Sequence, residues 1–177
     1  MKMTKTRLIT ACAERKVFWS AGEPATCTDP SHEHGQYEVH RHCDVVVLPD
    51  ETMITAVSFD PIDPYVRDSD PDYGLYLDPS WQPPWAHDHL DWPDFGIPGD
   101  PASVVASLES VLTHARAGRR VEVGCLGGHG RTGTALACLA ILTGYPPDDA
   151  VAWVRTNYCP VAVETDGQAA FVAGFGR

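Results

Sequence analysis

The segment Cys125-Leu-Gly-Gly-His-Gly-Arg131-Thr132 separates a thiol from a guanidinium by five residues, three of them glycine, and follows the guanidinium with a hydroxyl. Each residue type suits the handling of a phosphate ester. Consecutive backbone N–H groups of a loop that opens a helix converge on one concavity, where the helix dipole adds positive potential. Gly127, Gly128 and Gly130 allow the backbone torsions of such a cradle and the close approach of an anion. Arg131 supplies a planar fork for two phosphate oxygens. The same field would hold Cys125 as a thiolate, aimed at the phosphorus, and Thr132 could donate its hydroxyl to the sulfur as it leaves. Leu126, Gly127, Gly128, His129, Gly130 and Arg131 are therefore the predicted phosphate-binding residues. A plain glycine-rich turn with a buried cysteine is the competing reading, and it leaves Arg131 and Thr132 without a reason.

Such a loop works only between a strand and a helix, and the flanking pattern supplies both. Val121-Glu-Val-Gly124 reads as a short strand, and Thr132 to Thr143 as an apolar helix stopped by Gly144. Ahead of them, Asp100 is a suitable N-cap and Pro101 a suitable first helical residue. Val104, Val105, Leu108, Val111 and Leu112 then recur at helical spacing until Gly118. Two further helices are predicted, from about Pro147 to Asn157 and from about Thr165 to Ala173. Asp44 to Leu48 and Met53 to Val57 flank Pro49-Asp50-Glu51 as a β-hairpin. Gly74 to Asp78 and His87 to Leu90 are two more short strands, and the Asp- and Pro-rich stretch from Asp60 to Asp72 is predicted as loop.

Displacement of an alkoxide or phenoxide also needs a proton donor. Upstream lies Asp91-Trp92-Pro93-Asp94-Phe95-Gly96-Ile97-Pro98, an aspartate after Trp-Pro flanked by glycine and proline, which suits a mobile loop bearing a carboxylate. With this second motif the sequence, from about Leu75 onward, resembles the protein tyrosine phosphatase superfamily. In that superfamily the acid loop reads Trp-Pro-Asp and the phosphate loop Cys-x5-Arg-Ser/Thr, and the chain looks like a small, dual-specificity-like member. The resemblance implies Cys125 as nucleophile, Arg131 and Thr132 as its partners and Asp94 as general acid, with Asp91 the second choice. Val163-Glu-Thr-Asp-Gly-Gln168 looks like the last active-site loop, which makes Gln168 the residue that positions the hydrolytic water. Arg155 falls at a position read as structural. The implied fold is a single α/β domain over residues 1–177, with a central mixed β-sheet flanked by helices. Residues 1–73 form a divergent part with the hairpin and a His/Cys-rich loop, and 74–177 the catalytic core. Neither a metal nor a cofactor is implied.

Two departures stand out. The superfamily usually places histidine directly before the nucleophile, and Gly124 stands there, so the thiolate loses one support. His129 inside the loop is unusual and either contacts substrate at the pocket mouth or is solvated. In the first part, Cys27, His32, His34, His40, His42 and Cys43 form a run of soft and borderline ligands. Their spacing fits neither Cys-x2-4-Cys nor His-x3-5-His, so a polar loop without metal is predicted. Cys12, Cys138 and Cys159 read as buried thiols. His87 and His89 alternate onto one face of their strand, lining the pocket or its rim.

Bulk composition limits the rest. The chain has 177 residues, 44% of them hydrophobic and 21% charged, which suits one compact soluble unit. A formal net charge of -11 disfavours nucleic acid and anionic membrane as partners. Lys2, Lys5 and Arg7 precede an apolar run, and Ile9-Thr10-Ala11-Cys12 resembles a lipoprotein cleavage box. The run from Leu8 to Ala13 is too short for a signal segment, so a cytoplasmic location is expected. The expected activity is phosphate-monoester hydrolysis through phosphocysteine on phosphotyrosine, phosphoserine or phosphothreonine proteins. The alternatives are a phosphatase of a small phosphorylated metabolite such as an inositol phosphate, and an inactive phosphate-binding module. A sulfur transferase or arsenate reductase would leave the Trp-Pro-Asp segment without a role.

Overall fold

The computed structural model describes residues 5–12, 14–15, 17–20, 24–59 and 69–176. Its larger sheet has five strands in the order β4-β5-β8-β6-β7. Strands β4 (Cys43–Val47) and β5 (Met53–Ser58) form the expected antiparallel hairpin, with Val46 opposite Ile54. Its tight turn places Glu51 at φ 71. Strands β6 (Tyr73–Tyr76), β7 (His87–His89) and β8 (Val121–Cys125) join in parallel, β8 lying between β5 and β6. Every residue of β8 is buried, as a central parallel strand covered on both faces requires.

Helix α1 (Pro101–Arg116) starts as its sequence predicts. Asp100 accepts a hydrogen bond from the Ala102 N–H at 3.0 Å, and Val104, Leu108, Val111 and Leu112 turn inward. Helix α2 (Gly130–Leu142) is buried from Gly130 to Ala140, so it forms the centre of the helical layer rather than an amphipathic cover. A 3-10 turn (Pro147–Asp149) leads into α3 (Ala150–Asn157), and α4 (Asp166–Gly174) begins where Thr165 caps the Gln168 N–H at 3.2 Å. The main hydrophobic core runs from Val46 to Phe175 and is built around β8, α1 and α2. Strand, loop and helix therefore follow one another at its centre, and Cys125 sits on the last residue of the strand.

The first part differs from expectation. A second sheet, in the order β2-β1-β3, joins β1 (Lys5–Cys12), β2 (Val17–Ser20) and β3 (His34–Arg41) in antiparallel register. The apolar stretch read as a possible targeting segment is β1. The alternation in these strands is diluted by charged and polar residues, which hid the period. The loop expected over 60–72 lies outside the described residues from 60 to 68. Among the described residues no helix is long and apolar enough to cross a membrane.

Candidate active site

Cys125 ends β8 with 3% of its surface exposed, and its Sγ accepts a hydrogen bond from the Thr132 hydroxyl at 3.1 Å. The chain then passes through the glycine loop into α2. The Gly133 N–H bonds back to the His129 carbonyl at 2.9 Å, so the amides ahead of it lie at the open end of the helix. Gly128 takes φ 74, which a side chain would strain, and its carbonyl accepts from the buried Tyr158 hydroxyl at 2.5 Å. Gly124 explains the missing histidine. A Cβ there would come within 2.5 Å of Val57 Cγ2 and 2.7 Å of the Val57 carbonyl oxygen, so β5 leaves no room for a side chain.

Arg131 is buried, with 4% exposed, and its position is set by oxygens. Nη1 donates to the Leu77 carbonyl at 2.7 Å and to the Trp92 carbonyl at 3.3 Å. Nη2 meets Asp78 Oδ2 and Asp94 Oδ1, each at 3.2 Å. Asp94 is thus beside the loop, on a side chain 59% exposed, whereas Asp91 is exposed among neighbours that do not include Arg131. Asp78 was not singled out by its sequence, because a lone aspartate after a strand carries no signal. Burial opposes ionisation of Asp78, but hydrogen bonds from Ser80 and the charge of Arg131 hold its carboxyl below the usual range.

The acid segment rests on α4. Buried Trp92 donates its Nε1–H to the Gly96 carbonyl at 2.9 Å, and Thr165 Oγ1 donates to the Phe95 carbonyl at 3.3 Å. Gln168 is fully buried. Its Nε2 donates to Gly96 O at 3.3 Å, and its Oε1 accepts from the Glu164 N–H at 2.9 Å. A Cβ at Gly130 would collide with Glu164 Oε2 and lie 3.1 Å from Gln168 Nε2, so Gln168 sits between the two loops. Arg155 holds the Ala162 and Val163 carbonyls at 2.9 and 2.8 Å, which fixes the turn where Val163 takes φ 62.

The rear of the phosphate loop holds residues that sequence reasoning missed. His42, just before β4, packs its ring 4.7 Å from Tyr158 and 4.9 Å from His129, with Nδ1 2.7 Å from buried Asp44 Oδ2. Ligand atoms of His42, His129 and Cys159 lie within 4.8 Å of one another. His129 therefore turns its ring toward this cluster and away from the expected pocket mouth. Burial opposes a charge on Cys159, yet hydrogen bonds with His129 and His42 bring its thiol down to about 6. Burial likewise opposes charge on His42, but Asp44 and Cys159 together outweigh it, raising the imidazole above its ordinary value. No short motif links residues 42, 44, 129 and 159, so only the fold could join them.

The other His and Cys residues of the first part do not gather into one cluster. Cys27 and His32 lie with Cys12, away from His42. His87 and His89 bond the Trp85 and Trp81 carbonyls, each at 2.7 Å, and flank Tyr76 on the edge strand. A cleft of about 670 Å³ between the β4–β5 hairpin and the end of α1 is lined by Asp50, Arg116 and Arg120 and does not reach Cys125.

Residues 97–170 match the family model described as PTP-SAK, a Swiss Army Knife protein with a DSP-PTPase phosphatase domain. Two uncharacterized proteins of Methanocaldococcus jannaschii are 43% and 40% identical to the chain over 79 residues, 45% of its length. The chain spans about half the length of these curated relatives, 52% and 48%. Among solved structures, Tk-PTP in the active form is 23% identical with a TM-score of 0.53, covering 67% of this chain and 86% of that one. A kinase-associated phosphatase with its catalytic-site cysteine replaced by serine is 17% identical with a TM-score of 0.58, covering 74% and 92%. A Trypanosoma cruzi protein tyrosine phosphatase is 16% identical with a TM-score of 0.55, covering 73% and 68%. These likenesses show the fold, a five-stranded mixed sheet flanked by helices as in the tyrosine phosphatases.

Proposed function

We propose that the chain, whose residues 97–170 match a DSP-PTPase phosphatase model, hydrolyses phosphate monoesters through a phosphocysteine on Cys125. The observation that carries this reading is the buried Cys125 sulfur at the open end of α2, hydrogen-bonded by Thr132. The Cys125 thiolate attacks phosphorus and the P–O bond to the leaving group breaks. Asp94 gives its proton to the departing oxygen. Backbone amides of 126–131 and the Arg131 guanidinium bind the equatorial oxygens, with Arg131 releasing Asp94 to take the phosphate. In the second step water attacks phosphorus, Asp94 takes its proton, and the P–S bond breaks with the Thr132 hydroxyl donating to the sulfur. Gln168, anchored between Gly96 and Glu164, orients that water.

Asp78 holds one Nη of Arg131 while the fork engages substrate, so it is a positioning residue for the clamp. Substrates are phosphorylated proteins, as the dual-specificity model suggests, or a small phosphorylated metabolite. Acid-quenched turnover of p-nitrophenyl phosphate followed by peptide mass analysis tests the covalent step. A phosphoryl group on the Cys125 peptide is expected. Its absence, together with steady turnover by Cys125→Ser, would remove the mechanism. A panel of phosphotyrosine, phosphoserine and phosphothreonine peptides against inositol phosphates then separates the substrate classes.

A further inference from the structure

At one end of the three-stranded sheet, remote in sequence from Cys125, the ligand atoms of Cys12, Cys27 and His32 lie within 4.8 Å of one another, and exposed His34 stands at their edge. Cys12 ends β1 and His34 begins β3, and the two are direct partners in the antiparallel register. Directly opposed residues leave the same face of a sheet with Cβ atoms about 4.5–5.5 Å apart. Cys27 and His32, from the segment that enters β3, close the group. His32 Nδ1 lies 3.3 Å from Cys27 Sγ and 3.6 Å from Cys12 Sγ. The two sulfurs are within 4.8 Å of each other, and the His34 side chain acts electrostatically on Cys27.

The two S···N spacings match the edge of a small tetrahedron. Four-coordinate zinc, with Zn–S about 2.3 Å and Zn–N about 2.0–2.1 Å, sets S···N edges of about 3.5 Å. Both thiols are buried, Cys12 at 1% and Cys27 at 3% exposed. An outer layer is also present. Asp29 Oδ2 lies 3.7 Å from His32 Nε2, the ring nitrogen turned away from the sulfurs, and Asp29 is itself held by the Ser31 N–H and hydroxyl at 2.9 and 2.7 Å. A carboxylate behind a histidine is the usual support for a metal-ligating imidazole. The Asp29 backbone amide favours the thiolate form of Cys27, the kind of support a ligating thiolate needs.

We propose that Cys12, Cys27, His32 and His34 bind one zinc ion in a closed structural site that fastens β1 to the start of β3. Zn²⁺ displaces one proton from each thiol and leaves both imidazoles neutral, so the centre carries no net charge. Two sulfurs and two nitrogens select zinc over harder cations. The spacing escapes a motif search because one pair of ligands, Cys12 and His34, is made by strand register.

The test uses the full chain purified from zinc-supplemented culture without chelator. Elemental analysis is expected to find about one zinc per chain. Cys27→Ser and His32→Gln lose it, while His42→Gln and Cys159→Ser keep it. Cobalt substitution of the wild-type chain gives a readout that survives misfolding of variants, since tetrahedral cobalt with two thiolates shows about twice the sulfur-to-metal absorption of a one-thiolate site. Four results would overturn the proposal. They are a zinc-free chain that takes up no cobalt, zinc lost with Cys159→Ser and kept in Cys27→Ser, a one-thiolate cobalt spectrum, and a Cys12–Cys27 disulfide in the zinc-replete protein.

Discussion

The phosphate loop and the acid segment sit side by side on Arg131 but are built on opposite terms. The loop from Cys125 to Arg131 is closed in from behind: Tyr158 bonds the Gly128 carbonyl, β5 packs against Gly124, and His42 fills the space beneath Gly128. The acid segment is held at few points, with Phe95 at φ 56 and 61% exposed and Asp94 and Ile97 also exposed. A cradle stabilises developing charge only if its donors are already in place, because reorganisation would consume the gain. A proton donor must instead leave room for substrate to enter and product to depart. On the proposed mechanism, rigidity is concentrated where charge would be bound and relaxed where a proton would be delivered.

That contrast can be broken by asking which substitutions discriminate among substrates. Cys125→Ser should lower kcat on every phosphate ester by at least about 10⁴-fold while vanadate still binds, measurable by turnover and by calorimetry. Asp94→Asn should cost about 10²–10⁴-fold with an alkyl phosphate and far less with a good leaving group such as p-nitrophenolate. The basic limb of its pH–rate profile should flatten. Asp91→Asn is the control, and a leaving-group-dependent defect there would move the acid to Asp91. Gly124→Ala pushes a methyl into Val57 and should destabilise the fold by about 1–3 kcal/mol in urea unfolding. If it is neutral, the loop is less tightly backed than described.

The smallest effect concerns the rear cluster and its pH dependence. The Cys159 thiol is about 6 in the folded chain, below the value of an unfolded cysteine. Between those values the unfolded state holds a proton that the native state does not, so the contribution of Cys159 to stability grows with rising pH. It is complete above the unfolded value and is lost as pH falls through about 6. His42, shifted the other way, contributes below its unfolded value and loses that contribution as pH rises through its own folded value. His129, Asp44 and Tyr158 face the same pair. The stability difference between the native chain and Cys159→Ser should therefore widen from pH 6 toward 9, and a constant difference would show that Cys159 only packs.

Legibility in the sequence followed the range of each interaction. The thiol, the guanidinium, the helix that follows them and the Asp100-Pro101 start of α1 are local statements, and the chain writes them locally. The hairpin was readable because Val46 and Ile54 alternate with outward residues. Asp78, His42 and Cys159 reach the loop across 53, 87 and 30 or more residues of chain, and nothing near them says so. The β1–β3 sheet was missed for another reason: its strands carry charged and polar residues where apolar alternation would have marked them.

Both terminal nitrogens of Arg131 are already engaged in its resting arrangement. Two carboxylates and two carbonyls occupy the fork, so the pocket holds an internal competitor for any anion that enters. Apparent affinity for a phosphate is the intrinsic affinity multiplied by the fraction of molecules in which Asp94 has let go. Each tenfold bias toward the Arg131–Asp94 pair weakens every small anion tenfold. Occupancy by the chain's own carboxylate thus acts as a threshold that every anion, large or small, meets by the same factor.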